Sequence, residues 1–96
     1  MTLESRIYDG QRAKEILDNE VFKQVFTDCK NEITDQWKNS PARDEQGREK
    51  LWLMLSLANK LETMLKTTLE TGRLSLLELD HRKTVAQRAK QWIGEL

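Results

Sequence analysis

The sequence predicts an all-α protein, and three observations carry that prediction. The chain has 96 residues with only 4 Gly and 1 Pro, so few positions can break a helix. It is rich in Leu, Glu, Lys, Arg and Gln, all good helix formers. Its apolar residues recur at three- and four-residue spacing over long stretches. At this length one domain is expected, in the range where a lone core is only marginally adequate.

The first element, residues 1–18, carries a weak helical pattern in Ile7, Ala13, Ile16 and Leu17, with Asp9 and Gly10 leaving its start open. Asp18-Asn19 offers a cap or turn. Residues 20–38 form a strong amphipathic helix. At about 100° per residue, Val21, Phe22, Val25, Phe26, Cys29, Ile33 and Trp37 share one arc of about 160°. Asn39-Ser40-Pro41 ends it, because the residue before proline avoids helical geometry. The restart is Ser40 as cap with Pro41 inside, or Asp44 as cap. Asp44, Glu45 and Glu49 suit the positive end of a helix beginning here.

Residues 45–71 are the longest element. Leu51, Met54, Leu55, Ala58, Leu61, Leu65 and Leu69 define one face, which Leu53, Leu57 and Met64 widen to about 200°. Packing on one neighbour needs a stripe of roughly 100°, so this helix is expected to touch at least two neighbours. Gly72 is expected to close it as a C-cap. Residues 73–79 read as an extended arm or a short helix. Asp80 reads as the cap of a last helix, 80–94, on which Val85, Ala86, Ala89, Trp92, Ile93 and Leu96 share an arc of about 120°.

Together these elements predict a long antiparallel hairpin of 20–38 and 45–71. A short N-terminal helix and a C-terminal docking helix flank it, and the chain assembles into an oligomeric helical bundle. A symmetric dimer is the default. The candidate oligomer interface is Leu53, Leu57, Met64, Trp92 and Ile93.

Lys+Arg and Asp+Glu both number 16, so the formal net charge is zero and nucleic acid is not an expected partner. Residues 1–40 hold 6 basic and 8 acidic side chains, and residues 73–96 hold 5 and 3. The two ends can therefore attract each other, within one chain or between two. Cys29 is the single cysteine, which fits a reducing compartment. No signal-peptide core and no membrane-length apolar run occurs, so cytoplasmic residence is the plain reading.

Little in the chain suggests catalysis. His81 is the only histidine, and one His with one distant Cys falls short of a zinc site. Asp28, Glu32 and Asp35 read as a solvated face rather than an acid/base pair. No enzyme activity, cofactor or metal is expected. Arg82, Lys83, Arg88 and Lys90 flank the apolar arc of the last helix and suit the rim of a docking face. Trp37 and Trp52, on either side of Pro41, read first as core. With Arg43 and Arg48 they form the alternative, a binding patch for an anionic or planar ligand. Arg43, Arg48, Trp52 and Arg82 are the candidate binding residues.

Trp37, Ala42-Arg43-Asp44, Gly47-Arg48-Glu49-Lys50-Leu51-Trp52 and the leucine-rich helix ending Thr71-Gly72 together resemble a group of small helical proteins of tailed bacteriophages. The resemblance covers about residues 13–74 and stops before Leu76. It implies a viral protein acting in the bacterial cytoplasm or in the virion, with another phage or host protein as partner. It transfers no catalytic or binding residue. Two roles follow as expectations. One is a self-assembling virion-assembly or packaging accessory. The other is a counter-defence or host-takeover factor that sequesters a host protein or a small nucleotide signal.

Overall fold

Three helices account for nearly all of the chain in the computed structural model, which describes residues 1–94: α1 (Leu3–Asp18), α2 (Glu20–Asn39) and α3 (Glu45–Gly94). No strand occurs among the described residues, and the fold is all-α. Leu96, placed on the apolar arc of the last helix by its spacing, lies outside them.

The caps explain where α1 and α2 begin and end. Thr2 Oγ1 accepts from the Ser5 amide at 3.0 Å, fixing the start of α1 well before Asp9 and Gly10. Asn19 serves both helices. Its own N–H donates to Ile16 O at 3.2 Å, closing α1, and its Oδ1 accepts from the Phe22 amide at 2.9 Å, opening α2. Ser40 donates through its backbone N–H and its hydroxyl to Trp37 O, ending α2 before Pro41. Of the two restarts, Asp44 is the one used: its Oδ1 accepts from the Gly47 amide at 3.1 Å.

α3 corrects the expected element boundaries. It runs 50 residues without a break, so Gly72 is not a C-cap, residues 73–79 are helical, and Asp80 opens no separate helix. His81 accordingly sits in mid-helix. No glycine among the described residues has a positive φ. A helical glycine costs about 1 kcal/mol relative to alanine. Here it permits a close approach: a Cβ on Gly72 would lie 2.7 Å from Gly10 Cα and 2.8 Å from Arg6 O. The sequence shows a glycine at each place; only the fold shows that they face each other.

The chain reverses at Ser40–Asp44, and both earlier helices lie along α3. Lys30 of α2 reaches Asn59 at 3.5 Å and Glu62 at 3.4 Å. Gly10 of α1 sits on Thr68 and Gly72, and the chain's first residues lie beside Glu78 and Arg82. The covered positions of α3 include Leu51, Leu55, Ala58, Glu62, Leu65, Leu69 and Gly72, which recur at three and four residues, and, under α1, Thr68 and Ser75.

The result is a rod of 80 × 25 × 17 Å with a radius of gyration of 22.0 Å. A compact domain of this length would have about 12.5 Å. Among the described residues, Ala13 and Ile33 are the only buried hydrophobics. The accessible surface is 7963 Å², against about 5,700 Å² for a compact monomer of this mass. At about 1.5 Å per residue, the 36 residues of α1 and α2 span about 54 Å and α3 about 75 Å. The C-terminal end of α3 therefore projects about 20 Å beyond the others, and all of residues 80–94 are exposed.

Candidate interaction surface

At the reversal, Arg48 is held from three sides. Its guanidinium lies 4.3 Å from the centre of the Trp37 ring. One nitrogen donates to Trp37 O and Ser40 O at 3.2 Å and to Ser40 Oγ at 3.0 Å. These carbonyls belong to the open C-terminal end of α2, whose partial negative charge a cation satisfies. Arg48 is therefore a cap for α2. Beside it Ile33, Thr34, Trp37, Leu51, Trp52 and Leu55 line an apolar cleft of about 240 Å³.

Neither tryptophan is core. Trp37 is 41% exposed and Trp52 is 60% exposed. Arg43 lies exposed in the connection beside this corner. Arg82 does not join it: it sits 34 residues further along α3 than Arg48, about 50 Å away, and donates to Glu78 at 2.8 Å. The four candidate binding residues thus fall into two distant places.

The second feature is the uncovered flank of α3. Leu53, Met54, Leu57, Leu61 and Met64 are all exposed, from 49% at Leu61 to 69% at Leu57. Its leucine-rich middle is covered on one flank only, so the roughly 200° apolar arc is split between a sheltered half and an open half. On α2, Val21, Val25 and Cys29 are exposed as well, although the sequence puts them on that helix's apolar arc. Both open stripes project to the same side of the α2–α3 pair. On the projecting end, Val85, Trp92 and Ile93 are exposed.

Charges frame these surfaces. Glu62 is the one acidic side chain on the sheltered flank of α3. The hydrogen bond from Lys66 holds its carboxyl below the usual range, partial burial opposes this, and Lys30 adds to the lowering. Lys14 does the same for Asp18, and Arg73 for Glu70. Asp28 and Glu32 stand exposed beside the α2 stripe. Between residues 80 and 94 the projecting end carries Arg82, Lys83, Arg88 and Lys90 against the single acid Asp80. Among the described residues, no group of three or more His, Cys, Asp or Glu is placed to hold a metal ion. No helix among them is long and apolar enough to cross a membrane.

The fold and this surface define an elongated all-α protein with a continuous exposed apolar stripe. Comparison with protein-family models, with curated proteins and with solved structures gives no match.

Proposed function

We propose that the chain is a non-enzymatic helical interaction protein that assembles with itself. In this reading, 20–38 and 45–71 act as a hairpin and the end of α3 as a docking segment. The observation that carries it is the open apolar stripe of α3, set against only two buried hydrophobic side chains among the described residues. The surface in excess of a compact monomer is about 2,200 Å², well over the roughly 800 Å² per partner of an ordinary interface. Large exposed apolar patches on small chains mark contact surfaces.

With the phage resemblance of residues 13–74, the role this supports best is a virion-assembly or packaging accessory working in the host cytoplasm or the particle. The sequestering alternative relied on Arg43, Arg48 and Arg82 as anion contacts. Arg48 commits one nitrogen and its ring-stacked face to the end of α2, and Arg82 is about 50 Å away within the chain. Sedimentation equilibrium at micromolar concentration tests the self-assembly. A mass of at least twice 11.3 kDa is expected, and a stable 11.3 kDa species would dispose of the reading. Mass spectrometry of purified particles tests the virion role, for which the chain should be a stoichiometric component.

A further inference from the structure

One face of α3 is filled along only part of its length. On a projection of about 100° per residue, Met54, Leu57 and Leu61 point the same way as Thr68, Gly72 and Ser75. α1 lies on the second set: Gly10 sits on Thr68 and Gly72, and Ser75 is 4% exposed. Among the described residues no element covers the first set, and Met54 and Leu57 are 52% and 69% exposed. α1 does not continue along the face, because Asn19 ends it and turns the chain into α2. The bare part, about 15 residues from residue 50 to Met64, is a seat about 22 Å long for one more helix. Val25 and Cys29 of α2, both exposed, border it. It is closed at one end by the last turn of α1 and open at the other, by the reversal.

The same chain carries a helix of that length with no seat. Residues 80–94 are exposed throughout and also span about 22 Å. They gather Val85, Ala86, Ala89, Trp92 and Ile93 within an arc of about 120°. A lone helical end this short is marginal in water and gains from being covered. We infer that residues 80–94 of one copy occupy the bare seat on the next copy, head to tail, with the two α3 helices parallel. This rests on the self-assembly reading and specifies its geometry. Residue 80 then lies near residue 50 of the next copy, so successive copies advance by about 30 residues, or about 45 Å. Each assembly keeps one free seat and one free tail at its ends, so growth is open-ended.

Only the parallel direction is open. Turned antiparallel, the donor's α3 would run on over residues 65–79 of its neighbour, where α1 already lies. Run parallel, the rest of the donor leaves past the reversal at Ser40–Asp44. Its own α1 begins beside its Glu78 and Arg82, on a side turned roughly 70° from the docking arc, and stays clear of the seat. Charge favours the same arrangement. With the apolar arc of the tail turned onto the seat, Arg88 lies on the flank toward α2, and Lys83 and Lys90 turn to the outer flank. Arg88 comes near residue 58, abreast of the α2 turn whose Lys30 reaches Asn59. Asp28 and Glu32, both exposed, stand on that turn. The acidic N-terminal part of one copy then meets the basic C-terminal part of another.

Blocking the two surfaces separately tests this. Leu57→Glu with Leu61→Glu spoils the seat, and Ala89→Glu with Trp92→Glu spoils the tail. Each replaced side chain is exposed, so helicity by circular dichroism should be unchanged. In sedimentation at micromolar concentration the parent should grow with concentration past twice 11.3 kDa. Each variant alone should stay a monomer, and an equimolar mixture should form a 1:1 pair that grows no further. A tail variant that pairs with itself shows seat on seat, a seat variant that pairs with itself shows tail on tail, and a parent that stops at a dimer shows a closed exchange. Each of these overturns the arrangement while leaving self-assembly standing, as does a mixture that stays monomeric beside an assembling parent. A parent that stays at 11.3 kDa overturns both. Spin labels in the 1:1 pair, with Cys29→Ser in both partners, read the direction. A label at Gln91→Cys on the seated tail should lie closer to one at Lys60→Cys than to one at Glu49→Cys beside the seat, and the reverse order overturns the parallel seating.

Discussion

Replacing Gly72 with alanine isolates the contact that fastens α1 to α3. Two opposing effects can be weighed. In a free helix the substitution stabilises by about 1 kcal/mol, because alanine is the better helix former. In the folded chain the new Cβ would stand 2.7 Å from Gly10 Cα and 2.8 Å from Arg6 O. Both neighbours are backbone, so no side chain can swing aside, and α1 must retreat by nearly an ångström to restore ordinary contact. Overpacking of this kind costs about 1–3 kcal/mol, and α1 has only Gly10 and Ala13 buried to resist displacement. The expected net loss is about 1 kcal/mol, which for a domain of this size lowers Tm by about 4–8 °C. Thermal unfolding followed by circular dichroism at fixed protein concentration measures it. Hydrogen exchange should place the lost protection in residues 3–18. Gly94→Ala is the control, since a Cβ there meets nothing within 4 Å. If Gly72→Ala raised Tm instead, helix propensity alone would be acting and the close crossing would be absent.

Two further outcomes follow. Arg48→Met should destabilise by about 1.5–3 kcal/mol, read from urea unfolding, because Trp37 O and Ser40 O lose a charged donor. Arg48→Lys should recover only part of this, since an ammonium on a flexible stem does not stack and fork as a guanidinium does. The Glu62 carboxyl sits below its unfolded value, so its stabilisation is complete above pH about 4.5 and fades as pH falls through the lower folded value. Midpoints measured from pH 6 to pH 3 should therefore fall less steeply for Glu62→Gln than for the parent. With Glu62 30% exposed, the difference will be small.

The helices themselves were legible in the sequence, because amphipathic spacing and cap residues are local signals. Asp18-Asn19, Pro41 and Asp44 mark real boundaries. Gly72 and Asp80 misled for one physical reason: a glycine or aspartate has the same local preference whether or not a tertiary neighbour holds the helix together across it. The width of the α3 apolar arc correctly implied that one neighbour would not cover it. What spacing could not reveal was which half stays open, since Met54 and Leu61 belong to the same arc as Leu55 and Leu65. The role of Arg48 was also hidden, because its partners are the last carbonyls of another helix. The tryptophans read as core on composition, yet the thin rod has no interior wide enough to enclose an indole.

Asn19 closes one helix and opens the next with no spare residue, and this fixes more than a boundary. α2 rests on the side of α3 bearing Leu51, Leu55 and Ala58, whereas α1 rests on the side bearing Gly72 and Ser75, turned by roughly 95° on a helical projection. A continuous helix through both would keep one angular phase and could not follow that turn. The joint is thus a phase-setting element: its length, rather than the chemistry of any contact, determines whether Gly10 arrives opposite Gly72. One inserted residue would rotate α1 by about 100° and carry that glycine out of alignment, even though every side chain in the protein remained the same.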